Sequence, residues 1–146
     1  MNRFKSVAIA ALVVAPFAAQ AEPTGDADAG EQNFRQCASC HGIVTPDGTV
    51  IQRLAPTGPN LWGVVGRQAG SYEGYARFSA SMIAAGEEHG IVWDEANFVA
   101  YLEDQSGFLR EVTGDSRARS NMNHRLRGSA EDLYAYLAQF AEEAEE

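Results

Sequence analysis

The sequence predicts an all-α fold of four to five short helices and long loops, wrapped around something larger than its own side chains. Three observations lead there. Apolar residues recur at helical spacing, but only in short segments. Runs rich in β-formers are absent. The third observation is the pentapeptide Cys37-Ala38-Ser39-Cys40-His41. Two thiols three positions apart can each add to one vinyl group of a haem, and the adjacent imidazole then lies beneath the iron as an axial ligand. A C-x-x-C redox pair and half a zinc site are the other chemistries of this spacing. The first needs strands alternating with helices around the motif. The second needs another Cys pair or a close His pair to complete four ligands, and the sequence has neither.

Each element follows from local pattern. Asp26 to Gln36 reads as the first helix, with Ala27, Gly30 and Phe34 on one face and acidic residues in its first turn. The Cys-His motif follows directly. Residues 42–61, punctuated by Pro46, Asp47-Gly48, Pro56, Gly58 and Pro59, read as loop. Tyr75 to Ala85 reads as a helix carrying Phe78, Met82 and Ala85 and stopping at Gly86. Asp94 can cap a third helix that presents Phe98, Tyr101 and Leu102. Residues 106–128 are polar, rich in Arg and Gly and without periodicity, and are expected to be irregular. Ser129 starts the clearest helix, with Asp132 completing an approximate capping box and Leu133, Tyr136, Leu137 and Phe140 forming its stripe. Glu142 to Glu146 read as a solvated tail.

The 146 residues hold two parts. Residues 1–21 combine Arg3 and Lys5, an apolar run from Val7 to Ala19 and the small-x-small end Ala19-Gln20-Ala21, the form of a cleaved secretory signal peptide. The run is too short for a transmembrane anchor, which needs roughly 20 apolar residues. Residues 22–146 form one exported domain, small enough that a haem at its centre supplies much of its core. Without Arg3 and Lys5 the chain has nine basic residues, all arginine, against twenty acidic ones, a formal charge of −11. Such a chain is a poor ligand for nucleic acid, whose affinity rests on neutralising phosphates.

Several separated blocks carry a resemblance: Gly30-x-x-x-Phe34, Cys37-x-x-Cys40-His41, Thr57-Gly58-Pro59-Asn60-Leu61-x-Gly63-x-x-Gly66-Arg67, Gly90-Ile91-x-Trp93, Tyr101-Leu102, Phe108-Leu109, and Met122 ahead of Asp132-Leu133-x-Ala135-Tyr136-Leu137. In this order they resemble the class I cytochromes c, and within them the cytochrome c2 group, over nearly all of residues 25–141.

The resemblance implies the class I cytochrome c fold and one haem c, bound through thioethers of Cys37 and Cys40. It implies His41 as proximal ligand, its ring held by the Pro59 carbonyl, and Met122 as sixth ligand. Met82, on the apolar side of its helix, reads as core, while His89 and His124 are rival ligands. Arg67 and Trp93 are implied near a haem propionate, Tyr101 near the Met122 sulfur, and Ser120 where relatives often have a threonine. Phe78 stands where relatives often carry a tyrosine, and Gln105 replaces a proline.

With both axial positions filled, the implied function is a soluble, monomeric periplasmic electron carrier and not an enzyme. Its implied donor is a bc1-type complex and its acceptor a photosynthetic reaction centre or terminal oxidase. A haem enzyme or gas sensor with a labile sixth ligand, and a thiol–disulfide oxidoreductase, are the alternatives. Related carriers commonly dock through lysines around the haem edge, and residues 22–146 contain none. Residues 107–130 instead carry five arginines against Glu111 and Asp115, a net +3, while the rest of residues 22–146 is at −14. This segment is expected to frame the haem edge.

Overall fold

The structure, a computed structural model, describes residues 22–55 and 57–141. The leader at 1–21 and the tail Glu142 to Glu146 lie outside the described residues. Among the described residues, five helices and one short hairpin make up the regular structure: α1 (Ala27–Phe34), β1 (Ile43–Val44), β2 (Val50–Gln52), α2 (Ala80–Glu87), α3 (Glu95–Glu103), α4 (Gln105–Thr113) and α5 (Ala130–Ala138).

The first and last helices form the principal junction. Asp26 caps α1 by accepting from the N–H groups of Asp28 and Ala29 at 2.9 and 3.2 Å. Ser129 caps α5 by accepting from the N–H of Asp132 at 3.0 Å. The expected capping box is not closed from the other side. The Asp132 carboxylate accepts from the Asp26 N–H at 2.8 Å, so it ties the two helix starts together. Where the helices cross, a Cβ at Gly30 would collide with the carbonyl oxygen of Asp132 and lie 2.8 Å from Cβ of Tyr136. Phe34, 1 % exposed, packs its ring 5.7 Å from that of Tyr136.

Three expectations need correction. The helix placed at Tyr75 to Ala85 begins at Ala80, because Ser79 takes the N-cap by accepting from the Met82 N–H, and it runs through Gly86 to Glu87. Residues 106–113 are not irregular but lie in α4. Asp104, with extended backbone, ends α3 and caps α4 through the Gly107 N–H at 2.8 Å, which buries Phe108 and Leu109. The loop at 42–61 contains the β1–β2 hairpin, with Ile43 opposite Gln52. Asn60 holds it from outside the pair, accepting from the Val44 N–H and donating to the Val44 carbonyl at 3.0 and 2.6 Å.

The α1–α5 junction generates the first expectation. Phe34→Ala should cost about 3–5 kcal/mol in denaturant unfolding, as an aromatic deletion does in a packed core. Gly30→Ala should cost about 1–3 kcal/mol, because the obstruction is backbone and cannot rotate away. A loss below about 1 kcal/mol for Phe34→Ala would remove this contact from the core.

Candidate functional site

The Cys-His motif continues from α1 in tight turns: the N–H groups of Cys40 and His41 both donate to the Cys37 carbonyl, at 3.0 and 2.9 Å. Positions i, i+3 and i+4 of a coiled backbone share a side, so Cys37, Cys40 and His41 face together. All three line a cavity of about 400 Å³, within the roughly 300–1,000 Å³ of ordinary ligand sites. The two cysteines are not bridged to each other. Burial first, and then the neighbouring Cys40, push the Cys37 thiol up to about 11. A reactive redox thiol is shifted the other way.

His41 is aimed by its surroundings. Its Nδ1 lies 2.9 Å from the Pro59 carbonyl. A carbonyl only accepts, so Nδ1 carries the hydrogen and Nε2 keeps its lone pair for the cavity. Gly58 lies flat against the ring: a Cβ there would sit 2.5 Å from Cε1 and 2.7 Å from Nδ1. The Gly58 N–H donates to the Cys40 carbonyl at 2.7 Å, so the loop after the hairpin is fastened to the motif it supports. Burial lowers the pKa of His41, the Pro59 carbonyl raises it, and nearby His124 lowers it, leaving it below the ordinary value.

Residues 119–127 supply another part of the lining. Every even residue from Ser120 to Leu126 is partly buried and every odd one from Arg119 to Arg127 exposed, the period of an extended chain. Ser120, Met122 and His124 therefore share the inner side and all three line the cavity. Met82 also lines it, but from the buried core. Side chains of other elements hold the backbone of this segment. Ser81 accepts from the Arg119 N–H at 3.2 Å and Ser106 from the Ser120 N–H at 3.1 Å. Gln36 both accepts from the Arg127 N–H and donates to the Arg127 carbonyl, at 2.9 and 2.7 Å.

Of the other expected site residues, Arg67, Trp93 and Tyr101 all line the same cavity. Arg67 donates to the carbonyls of Trp62 and Asn60 at 3.0 and 3.2 Å and lies over the Tyr72 ring. Trp93 is buried against Tyr101 and Phe108. The Tyr101 hydroxyl meets Ser120 Oγ at 2.6 Å, and that oxygen accepts from the Met122 N–H at 3.0 Å, so Tyr101 reaches the Met122 segment through Ser120. Burial pushes the Tyr101 hydroxyl up to about 12, which keeps it neutral.

No protein-family model matches the chain. It is 52 % identical over 118 residues to cytochrome c2 of Rhodovulum adriaticum, covering 79 % of this chain and 92 % of that one. It is 44 % identical over 137 residues to cytochrome c2 of Cereibacter sphaeroides, covering 92 % of each. The X-ray structure of cytochrome c2 from Rhodobacter sphaeroides superposes with a TM-score of 0.75 at 45 % identity, covering 80 % of this chain and 97 % of that one. The chain belongs to the cytochrome c2 family. It therefore has the class I cytochrome c fold, carries one covalent haem c and transfers electrons; it is not an enzyme. The residues present fit that group: two unbridged cysteines and an oriented imidazole on one side of a coil, against a cavity with aromatic walls.

Within this cytochrome c2 frame, two departures acquire a physical account. Phe78 packs edge-on against Tyr75, whose hydroxyl donates to the Thr57 carbonyl at 2.8 Å, so a tyrosine hydroxyl does lie on the lining, three residues earlier. Gln105 is buried, and its amide donates to the carbonyls of Leu102 and His124 at 3.0 and 2.9 Å. A proline at this first position of α4 would suit the helix, but it would leave the segment around Met122 without that tie. Sequence reasoning registered the substitution and not the clamp, since nothing local marks a glutamine as bridging residues 102 and 124. Gln105→Leu should lower unfolding free energy by about 1–3 kcal/mol, the cost of two carbonyls losing their donor. Guanidinium unfolding with a haem-band probe checks this, and an unchanged midpoint would deny the clamp any role.

Proposed function

We propose that this cytochrome c2 is a soluble, monomeric, periplasmic carrier of single electrons, with Cys37 and Cys40 as the thioether anchors and His41 and Met122 as the axial iron ligands. The observation that carries the reading is the shared cavity: Met122 lines it together with all three residues of the Cys-His motif. The bound haem supplies the redox-active iron, and a His/Met ligand pair sets its potential relatively high, because a thioether favours the ferrous state. The protein's own part is orientation. Pro59 holds the His41 tautomer, Gly58 lies against the ring, and Ser120 with Gln105 fastens the backbone on both sides of Met122. Ligands held this firmly move little between oxidation states, so little energy is lost to rearrangement when the electron moves.

The periplasmic reading rests on the leader-like residues 1–21. Among the described residues no helix is long and apolar enough to cross a membrane. The resemblance carries the partners: a bc1-type complex as donor, and a photosynthetic reaction centre or terminal oxidase as acceptor. Arg67, Trp93, Tyr101 and Ser120 complete the haem surroundings in this reading. A labile sixth site, as in a haem enzyme or gas sensor, fits less well with a Met122 segment fastened by side chains at both ends.

Met122→Ala should abolish the weak far-red iron–sulfur band of the oxidised protein and lower its potential. An unchanged spectrum in this variant, with His124→Ala altering it, would move the sixth ligand to His124.

Arg119, Arg125 and Arg127 are exposed on the outer side of the same segment and, among the described residues, make no ion pair. They form a basic fringe on an otherwise acidic molecule, which suits an acidic partner face. Association with such a partner should slow as salt rises, and Arg119→Glu or Arg125→Glu should lower the on-rate more than Arg53→Glu on the hairpin side. Rates that rise with salt would assign docking to the net negative charge instead.

A further inference from the structure

His124 is a titratable side chain of the cavity for which the His/Met arrangement has no use. Among the described residues its Nε2 is buried without a hydrogen-bond partner, and the residue lines the same cavity as His41 and Met122. The cost of burying such an atom unpaired is ordinarily avoided. Two features make its direction more than accidental. The alternation along 119–127 puts positions 122 and 124 on the same side of an extended chain. The carbonyl of His124 is pinned by the Gln105 amide, which fixes the backbone from which the imidazole projects.

We propose that His124 is a reserve axial ligand: when the Met122 thioether leaves the iron, the Nε2 lone pair of His124 takes its place. The proposal rests on the His/Met reading above. The exchange is balanced as written, one dative iron–sulfur bond breaking and one dative iron–nitrogen bond forming, with no electron or proton gained or lost. Ferric iron favours it, since imidazole is the harder donor and the thioether prefers the ferrous ion. The consequence is a carrier whose sixth position stays closed when its methionine is lost. Small anions and peroxides then meet a filled site rather than open iron.

The test uses the haem-loaded protein and its ferric spectrum. Wild type and His124→Phe should both show the far-red iron–sulfur band. Met122→Ala should lose that band yet remain six-coordinate and low-spin by absorption and electron paramagnetic resonance. Met122→Ala/His124→Phe should turn high-spin. Cyanide should bind the single variant about tenfold or more weakly than the double one, because apparent affinity falls with the fraction of open sites. If Met122→Ala does not retain haem, Met122→Leu, which keeps the apolar bulk, carries the same comparison. A high-spin single variant, or equal cyanide affinities, would overturn the reserve role while leaving Met122 as the ligand. A wild type without the far-red band, altered by His124→Phe alone, would overturn both readings, since His124 would then be the resident ligand.

Discussion

Among the described residues, the backbone of residues 119–127 has no strand beside it, and several other elements supply what it lacks. Buried peptide groups must find partners, and here they find them in side chains: Ser81 in α2, Ser106 and Gln105 in α4, and Gln36 just after α1. The segment is thus fastened to three different helical regions at once. Shift any one of these helices and the wall carrying Met122 loses a tether. A loop held this way can be irregular and still rigid, which a site built for electron transfer requires on both sides of its metal.

The motif side reaches the same end by different means. There the chain coils immediately after α1, and the direction of the coil depends on how α1 crosses α5. That crossing is set by close backbone approach at Gly30 and by the Asp132 carboxylate reaching the start of α1. His41 then needs only one carbonyl and one residue without a side chain to be aimed, and Pro59 and Gly58 provide them. Burial raises the Cys37 thiol, opposite to the shift that activates an exchanging thiol.

Much of this was legible in the chain itself, and what was not has identifiable causes. The first and last helices declared themselves because their caps and apolar stripes are local. Phe34 and Tyr136 each belong to such a stripe, and the structure packs them together. α4 stayed hidden because Gly107 and the polar residues around Phe108 and Leu109 obscure the period; its start is fixed by the Asp104 cap, which reads equally well as the end of α3. The hairpin escaped because two paired residues on one strand and three on the other are too few to alternate visibly. At the site, Cys37, Cys40 and His41 are marked by spacing alone. Tyr101 is expected near the Met122 sulfur, and the contact its hydroxyl makes is with Ser120 Oγ, which no local pattern announces. Contacts such as Gln105 to the His124 carbonyl join distant parts of the chain, and no local pattern encodes them.

The strict alternation of the 119–127 segment makes its length a matter of parity. Because inner and outer positions interchange at every residue, inserting or deleting one amino acid between Ser120 and Met122 would turn arginines inward and send the sulfur and the imidazole out into solvent. A change of two residues would keep the inner row inside. Substitutions of the outer arginines alter the charge that a partner meets, whereas the outer Asn121 also donates to the Arg77 carbonyl at 2.9 Å. This stretch can therefore vary at its outward arginines, while a single-residue change in length ahead of Met122 disrupts its inner row.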